Sequence, residues 1–222
     1  MPLFIKRLSH WSWFLLRTQV RSIHIDPAYL KSYGKPPAEL NEKADILLYT
    51  HDHNDHCRKD TLPMLRDADT SIVAPASCAR KIDGYFQIVK PGDMLAIGEV
   101  NIAVTYAYNL NRSEKEKIWH RKGNGVGYLL TIDGITVYHA GDTDFIPEMK
   151  NLGEVDVALL PVGGTFTMDL ETAVQAVESI KPGIVIPMHN QDADLQLFKK
   201  QVEASSDVEV VLLAPGETFA VQ

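Results

Sequence analysis

Cysteine is scarce: Cys57 and Cys78 are the only two in 222 residues. Two thiols build no disulfide framework and match no zinc-ribbon spacing. Their scarcity points to a reducing compartment, so a cytoplasmic location is the expectation. Long apolar runs are also missing. The run at residues 11–16 is too short for a membrane span and lacks a small-residue cleavage site, so no membrane partner is expected. Positive charge is in deficit, with a formal net charge of −7, which argues against a nucleic-acid partner held by bulk attraction. No period of 20 to 50 residues repeats, which excludes a solenoid. There is no nucleophile elbow around a serine. Gly123-Asn124-Gly125-Val126-Gly127 leads into a strand and reads as a turn, not a phosphate cradle ahead of a helix.

What is present is an ordinary globular composition, 45% hydrophobic and 23% charged, with a length that suits a single domain over 1–222. Short strands are expected at 4–8, 13–18 and 22–25, and Asp26-Pro27 ends the third. Residues 28–37, with Gly34, Pro36 and Pro37, read as a loop. Apolar runs at 44–49, 72–75, 155–160 and 184–187 read as buried strands. Two hairpins are predicted, 94–97 with 100–106 around Gly98-Glu99, and 126–132 with 135–139 around Asp133-Gly134. Helices are predicted over 60–66, 77–82, 168–180 and 195–202, then a last strand at 208–212 and a short tail. Residues 109–125 are charged and read as a long loop. Alternating strands and helices in both halves fit an α/β (α+β) architecture: two mixed sheets face to face with helices outside.

One stretch concentrates chemistry. Thr50-His51-Asp52-His53-Asn54-Asp55-His56 puts three of the eight histidines on a loop leaving a buried strand. In an extended segment the rings of His51 and His53 point the same way and can grip one metal. Asp55 and His56 are adjacent and are expected to diverge toward a second. Imidazole and carboxylate suit zinc, iron or manganese. Cys57, beside them, reads either as a ligand or redox-sensitive thiol or as a small buried residue.

His51-x-His53-x-Asp55-His56, then Gly141-Asp142-Thr143, then His189 after a buried strand, resemble the metallo-β-lactamase superfamily. Tyr138–Thr143 (YHAGDT), Leu160-Pro161-Val162-Gly163-Gly164 and Ile186-Pro187-Met188-His189 look like its UlaG-like metal-dependent hydrolases, the branch of ascorbate-6-phosphate lactonase. Ser9-His10 and Asp26-Pro27 add to the likeness. The resemblance implies a four-layer αβ/βα sandwich with two divalent metal ions. His51 and His53 would hold one, Asp55, His56 and His189 the other, and Asp142 would bridge them. It further implies a hydrolase in which the metals generate hydroxide from a shared water. That hydroxide would cleave an ester, lactone or phosphoester, with Asp55 as the catalytic residue that holds it and moves its proton.

The chain departs from the family pattern at one ligand. Where the family supplies a further histidine, near 107–109, this chain has Asn109, and the nearest histidine is His120. Either Asn109 ligates through its amide oxygen, or His120 swings in, or the first metal is held weakly; His120 otherwise reads as a substrate contact or a solvated loop residue. His139 flanks Asp142 and reads as a substrate contact or an orienting residue; the alternative is a core histidine. Arg112, Lys115, Arg121 and Lys122 make the charged loop locally basic, which points either to a small anionic substrate with Arg121 and Lys122 among its contacts or to a solvated charge run balanced by Glu114 and Glu116. A homo-oligomer is left open. The alternatives are a nuclease or phosphodiesterase of the same fold, which would need a basic arm, and a redox or non-catalytic metal-binding protein.

Overall fold

The computed structural model describes residues 2–110 and 118–221. Arg112, Glu114, Lys115 and Glu116 of the charged loop lie outside the described residues. In chain order the strands are β1 (Leu3–Arg7), β2 (Phe14–Arg17), β3 (Ser22–Ile25), β4 (Ile46–Leu48), β5 (Ser71–Pro75), β6 (Gln87–Val89), β7 (Met94–Ile97), β8 (Val100–Ala107), β9 (Gly125–Ile132), β10 (Ile135–His139), β11 (Val157–Pro161), β12 (Ile184–Met188), β13 (Glu209–Val210) and β14 (Thr218–Val221). The helices are α1 (Leu62–Leu65), α2 (Leu170–Ile180) and α3 (Leu195–Ser205). These elements form two compact units, 1–89 with 213–222, and 90–212.

The first unit is one mixed sheet in the order β14-β1-β2-β3-β4-β5-β6. β14, β1, β2 and β3 pair antiparallel, and β3 to β6 pair parallel. β4 is buried along its whole length, as expected of a parallel strand covered on both faces. Leu47, Tyr49, Ile72 and Ala74 pack against Leu40, Leu62, Leu65, Cys78 and Ile82 from α1 and short 3-10 turns. The expected helix at 60–66 thus shrinks to a four-residue turn of helix, because Pro63 permits a start and Arg66 returns to extended backbone. The expected helix at 77–82 is a 3-10 turn, Ala76–Arg80.

Two strands escaped the sequence reading. β6 is three residues with only Val89 buried, so it carries no alternation. β14 was expected as a tail. It instead pairs with β1, Leu3 opposite Val221 through Lys6 opposite Thr218. Arg7 holds the chain leading to it. Its guanidinium is buried and donates from Nε to the Ser9 carbonyl at 2.9 Å and from Nη1 to the Leu213 carbonyl at 3.0 Å. Burial pulls its pKa down to about 10.

The second unit is a mixed sheet in the order β13-β12-β11-β10-β9-β8-β7. Both predicted hairpins are present, with Ile97 opposite Val100 and Ile132 opposite Ile135. β10 to β13 then run parallel. α2 starts where the Asp169 carboxylate accepts from the Thr172 N–H at 2.9 Å, satisfying a donor that the first turn leaves open. It stops at Lys181 in the left-handed region. The apolar faces of α2 and α3, among them Ala173, Val177, Phe198 and Val202, cover Ala158, Leu160 and Val185 of the sheet. Each unit is therefore a mixed sheet with its helices on one face, as an αβ/βα sandwich requires of each half. Among the described residues no helix is long and apolar enough to cross a membrane. The polar clusters leave the C-terminal ends of β4, β10 and β12, the ends of parallel strands where open α/β sheets place their ligands.

Candidate metal centre

In the first unit the histidine loop follows β4 and is a tight turn, not an extended segment. The N–H groups of His56 and Cys57 both donate to the His53 carbonyl, at 3.2 and 2.9 Å. The turn draws the rings together: His51 lies 4.6 Å from His53 and 4.0 Å from His56 between centroids. Asp55 and His56 do not diverge as expected. Their Oδ2 and Nε2 stand 3.7 Å apart, because the turn folds neighbouring side chains to one side. Lys81 clamps the outside of the turn through Asn54 Oδ1 at 2.7 Å and the Cys57 carbonyl at 3.1 Å. Cys57 itself faces the core. It is 1% exposed, and its hydrogen bond with Cys78, together with burial, holds the Cys78 thiol well above the ordinary range. It is a structural residue.

A carboxylate behind the turn sets its chemistry. Asp26, fully buried and in the left-handed region at φ 51°, accepts three hydrogen bonds. Oδ1 takes the Thr50 N–H at 2.7 Å, and Oδ2 takes the Thr50 hydroxyl at 2.6 Å and His56 Nδ1 at 2.7 Å. His56 Nδ1 therefore carries its proton, and Nε2 keeps the lone pair. The Thr50 hydroxyl has one proton and gives it to Asp26. Its oxygen must then accept from His51 Nδ1, 3.0 Å away, which leaves the His51 lone pair on Nε2 as well. Outer carboxylates of this kind fix the tautomer of metal-binding histidines. The sequence reading used Asp26 only as a strand end. Its signal was an acid at the end of a buried strand, ahead of a proline.

In the second unit Asp142 follows β10 and is 3% exposed. Two imidazoles turn toward one of its oxygens: Oδ2 lies 3.3 Å from His120 Nε2 and 3.2 Å from His189 Nε2. His189 follows β12 with φ at 46°, a conformation that costs a non-glycine residue about 1–2 kcal/mol. Gly163 makes room for it. A Cβ there would stand 2.4 Å from the His189 carbonyl oxygen. Gly127 plays the same part under the Asp142 loop, where a Cβ would meet the His139 and Ala140 carbonyl oxygens at 2.9 and 3.0 Å.

The other candidates from the sequence divide. His139 is fully buried and its Nδ1 accepts the Gly141 N–H at 3.2 Å. It serves the turn that carries Asp142 and is not exposed to a substrate. The Lys122 ammonium, expected at the substrate, is committed to Glu148 at 2.7 Å and the Tyr108 hydroxyl at 3.3 Å. It stacks over the rings of Tyr106 and Tyr108. Arg121 is exposed. The Asn109 amide oxygen, a candidate ligand, is taken by His120, whose N–H and Nδ1 both lie at 3.0 Å. His10 is exposed and its carbonyl accepts from Arg7 Nη2 at 2.6 Å.

The donor chemistry fits divalent transition metals. Imidazoles, with Nε2 of His51 and His56 left open by their partners, and carboxylates are the ligands that zinc, iron and manganese take from proteins. Among the described residues the donors that could hold a cation are His51, His53, Asp55, His56, His120, Asp142 and His189.

Residues 5–189 match the family model described as a β-lactamase superfamily domain. A UPF0173 metal-dependent hydrolase of Methanosarcina mazei is 33% identical over 219 residues, covering 93% of this chain and 94% of the relative. A crystal structure of a metal-dependent hydrolase from Parabacteroides distasonis superposes with a TM-score of 0.85 at 32% identity, over 95% of this chain and 92% of that one. Igni18, a metallo hydrolase of Ignicoccus hospitalis, gives a TM-score of 0.77 at 29% identity over 100% and 99%. With the motif order, the two mixed sheets and these likenesses in agreement, the chain belongs to the UPF0173 metal-dependent hydrolases of the metallo-β-lactamase superfamily.

Proposed function

We propose that the protein hydrolyses an ester, lactone or phosphoester bond of a small anionic substrate with two divalent cations. As the family resemblance implies, His51 and His53 would hold one cation, with His120 the candidate that completes it, Asp55, His56 and His189 would hold the other, and Asp142 would serve both. The observation that carries the reading is the pair of imidazole nitrogens turned on one buried Asp142 oxygen. For His120 the Nδ1 faces two acceptors, so in the neutral ring the Nε2 lone pair faces the Asp142 oxygen, an arrangement that a cation against both would relieve. Zinc is the first candidate, manganese and iron the others; bound, such ions polarise the attacked oxygen and bring the pKa of a water toward neutrality.

The protein side of the chemistry falls to few groups. Asp26 and Thr50 hold His51 and His56 in the ligating tautomer. The Asp55 side chain is 27% exposed, against 3% for Asp142. It is therefore the carboxylate reached from solvent, and the one that would hold the attacking water and move its proton. Arg121, exposed beside His120, is a cation available for an anionic substrate, which the sugar-phosphate lactones of the UlaG-like branch would supply. Elemental analysis of the wild type and of Asp142→Ala tests the reading, alongside a screen of esters, lactones and phosphodiesters. Two metals per chain in the wild type, at most one in the variant, and loss of turnover are expected. Unchanged metal content in Asp142→Ala would remove its basis.

A further inference from the structure

Asn109 stands just beyond β8, where the family places a histidine, yet its amide is wholly engaged inside the second unit. Its backbone N–H donates to the His120 carbonyl at 2.8 Å. Its Nδ2 donates to the Phe166 carbonyl at 2.9 Å and to Asp144 Oδ1 at 3.3 Å. Asp144 is itself fixed, with Oδ2 accepting the Leu110 N–H at 2.9 Å. Two oxygens against Nδ2 settle the orientation of the amide, since a flipped group would set oxygen against oxygen. Its Oδ1 then faces the His120 N–H and His120 Nδ1, each at 3.0 Å. His120 Nδ1 has a second neighbour, the Phe166 carbonyl at 3.2 Å.

Both neighbours of that ring nitrogen are acceptors only. His120 Nδ1 must therefore carry a proton, which in the neutral ring leaves the lone pair on Nε2, the atom 3.3 Å from Asp142 Oδ2. We propose that Asn109 is a positioning residue: it takes no part in coordination, and it locks His120, eleven residues further on, in the tautomer and direction that present Nε2 to the cation. The Lys122 ammonium, tied to Glu148 at 2.7 Å, anchors the chain on the other side of His120. An amide oxygen in the ligand set would favour magnesium or manganese, whereas an imidazole favours zinc. Asn109 thus restores a nitrogen ligand at a position where the chain has lost one. The proposal rests on His120 being a ligand, and its test separates the two.

Three full-length variants decide it: His120→Ala, Asn109→Leu, and the polarity swap Asn109→Asp with Asp144→Asn. The swap keeps an acceptor for His120 and a donor–acceptor pair across the Asp144 contact, but it sets a carboxylate oxygen against the Phe166 carbonyl. Zinc affinity by chelator competition, and the imidazole tautomer by long-range nitrogen–proton NMR of the zinc-free protein, are the readouts. Asn109→Leu should bind zinc about 10–100-fold more weakly and lose the Nδ1-protonated signature of His120, and the swap, which keeps the acceptor, should recover that signature and part of the affinity. Wild-type affinity in His120→Ala would overturn the ligand assignment and the proposal with it. Weak binding in His120→Ala, but wild-type affinity and tautomer in Asn109→Leu, would overturn the role of Asn109 alone. Should the leucine variant not fold, a swap that folds but binds zinc no better than His120→Ala overturns it.

Discussion

Asp26 accepts three donors with two oxygens, and an amide in its place cannot. In Asp26→Asn one oxygen becomes an NH2 group and opposes the Thr50 N–H or the Thr50 hydroxyl and His56 Nδ1. One buried donor is then left unmatched, at a cost of about 1–3 kcal/mol. The tautomers of His56 and, through Thr50, of His51 are no longer fixed. Metal affinity should fall about 10–100-fold, while circular dichroism still shows a folded chain. Full metal content in Asp26→Asn would show that the two histidines hold their orientation without the carboxylate. His24 is the opposite kind of histidine. It lies mid-strand in β3, fully buried, and its Nδ1 accepts the Trp13 indole N–H at 3.0 Å. Burial, aided by Arg17, lowers its pKa to about 4. The folded state therefore resists a proton that the unfolded chain accepts near 6.5. Its share of stability is whole above about pH 6.5 and drains away as pH falls to about 4, roughly 3 kcal/mol in all. In urea unfolding across that range, wild type should lose this much more than His24→Gln, which keeps an acceptor for Trp13. Parallel pH profiles would refute the account.

Among the elements, those with a strong repeating or buried apolar pattern were legible in the sequence. The β8 and β9 strands, the hairpin at Asp133-Gly134 and helix α2 lie within a few residues of their expected bounds. Elements defined by their partners were not. β14 reads as a tail because only the ladder with β1 makes it a strand. β13, expected over 208–212, keeps two residues because its pairing with β12 covers only Glu209 and Val210. The ligand loop was legible as residue types and misjudged as geometry. The histidines and Asp55 stand out in the sequence, with His51 and His53 expected on an extended piece of a loop, and the turn closing on the His53 carbonyl reverses the expected divergence of Asp55 and His56. Orienting residues were the least legible. Asp26 lies 30 positions from His56 and Asn109 lies 11 from His120, separations that no local motif encodes. Lys122 was read by its charge, whereas an ammonium beside Glu148 and two aromatic rings is held by local contacts.

For the molecule as a whole, each unit carries donors of its own, His51, His53, Asp55 and His56 in the first and His120, Asp142 and His189 in the second. A cation that binds only the folded chain adds to stability by mass action, about 2.7 kcal/mol when free metal is a hundredfold above its dissociation constant. For a chain of this size that corresponds to roughly 5–10 °C in melting temperature. Removing metal with a chelator should lower the transition by that amount, and readding zinc should restore it. Hydrogen exchange then tells where the cations act. If all the proposed donors hold cations, chelation speeds exchange in the loops after β4, β10 and β12 together, while the core of β11, buried along its whole length, stays protected. Loosening confined to the loops of the second unit would remove His51, His53, Asp55 and His56 from the ligand set. A shift of the whole exchange profile would mean that the metals hold the fold itself, and that the tautomer-setting networks of Asp26 and Asn109 do not keep the ligand loops in place without them.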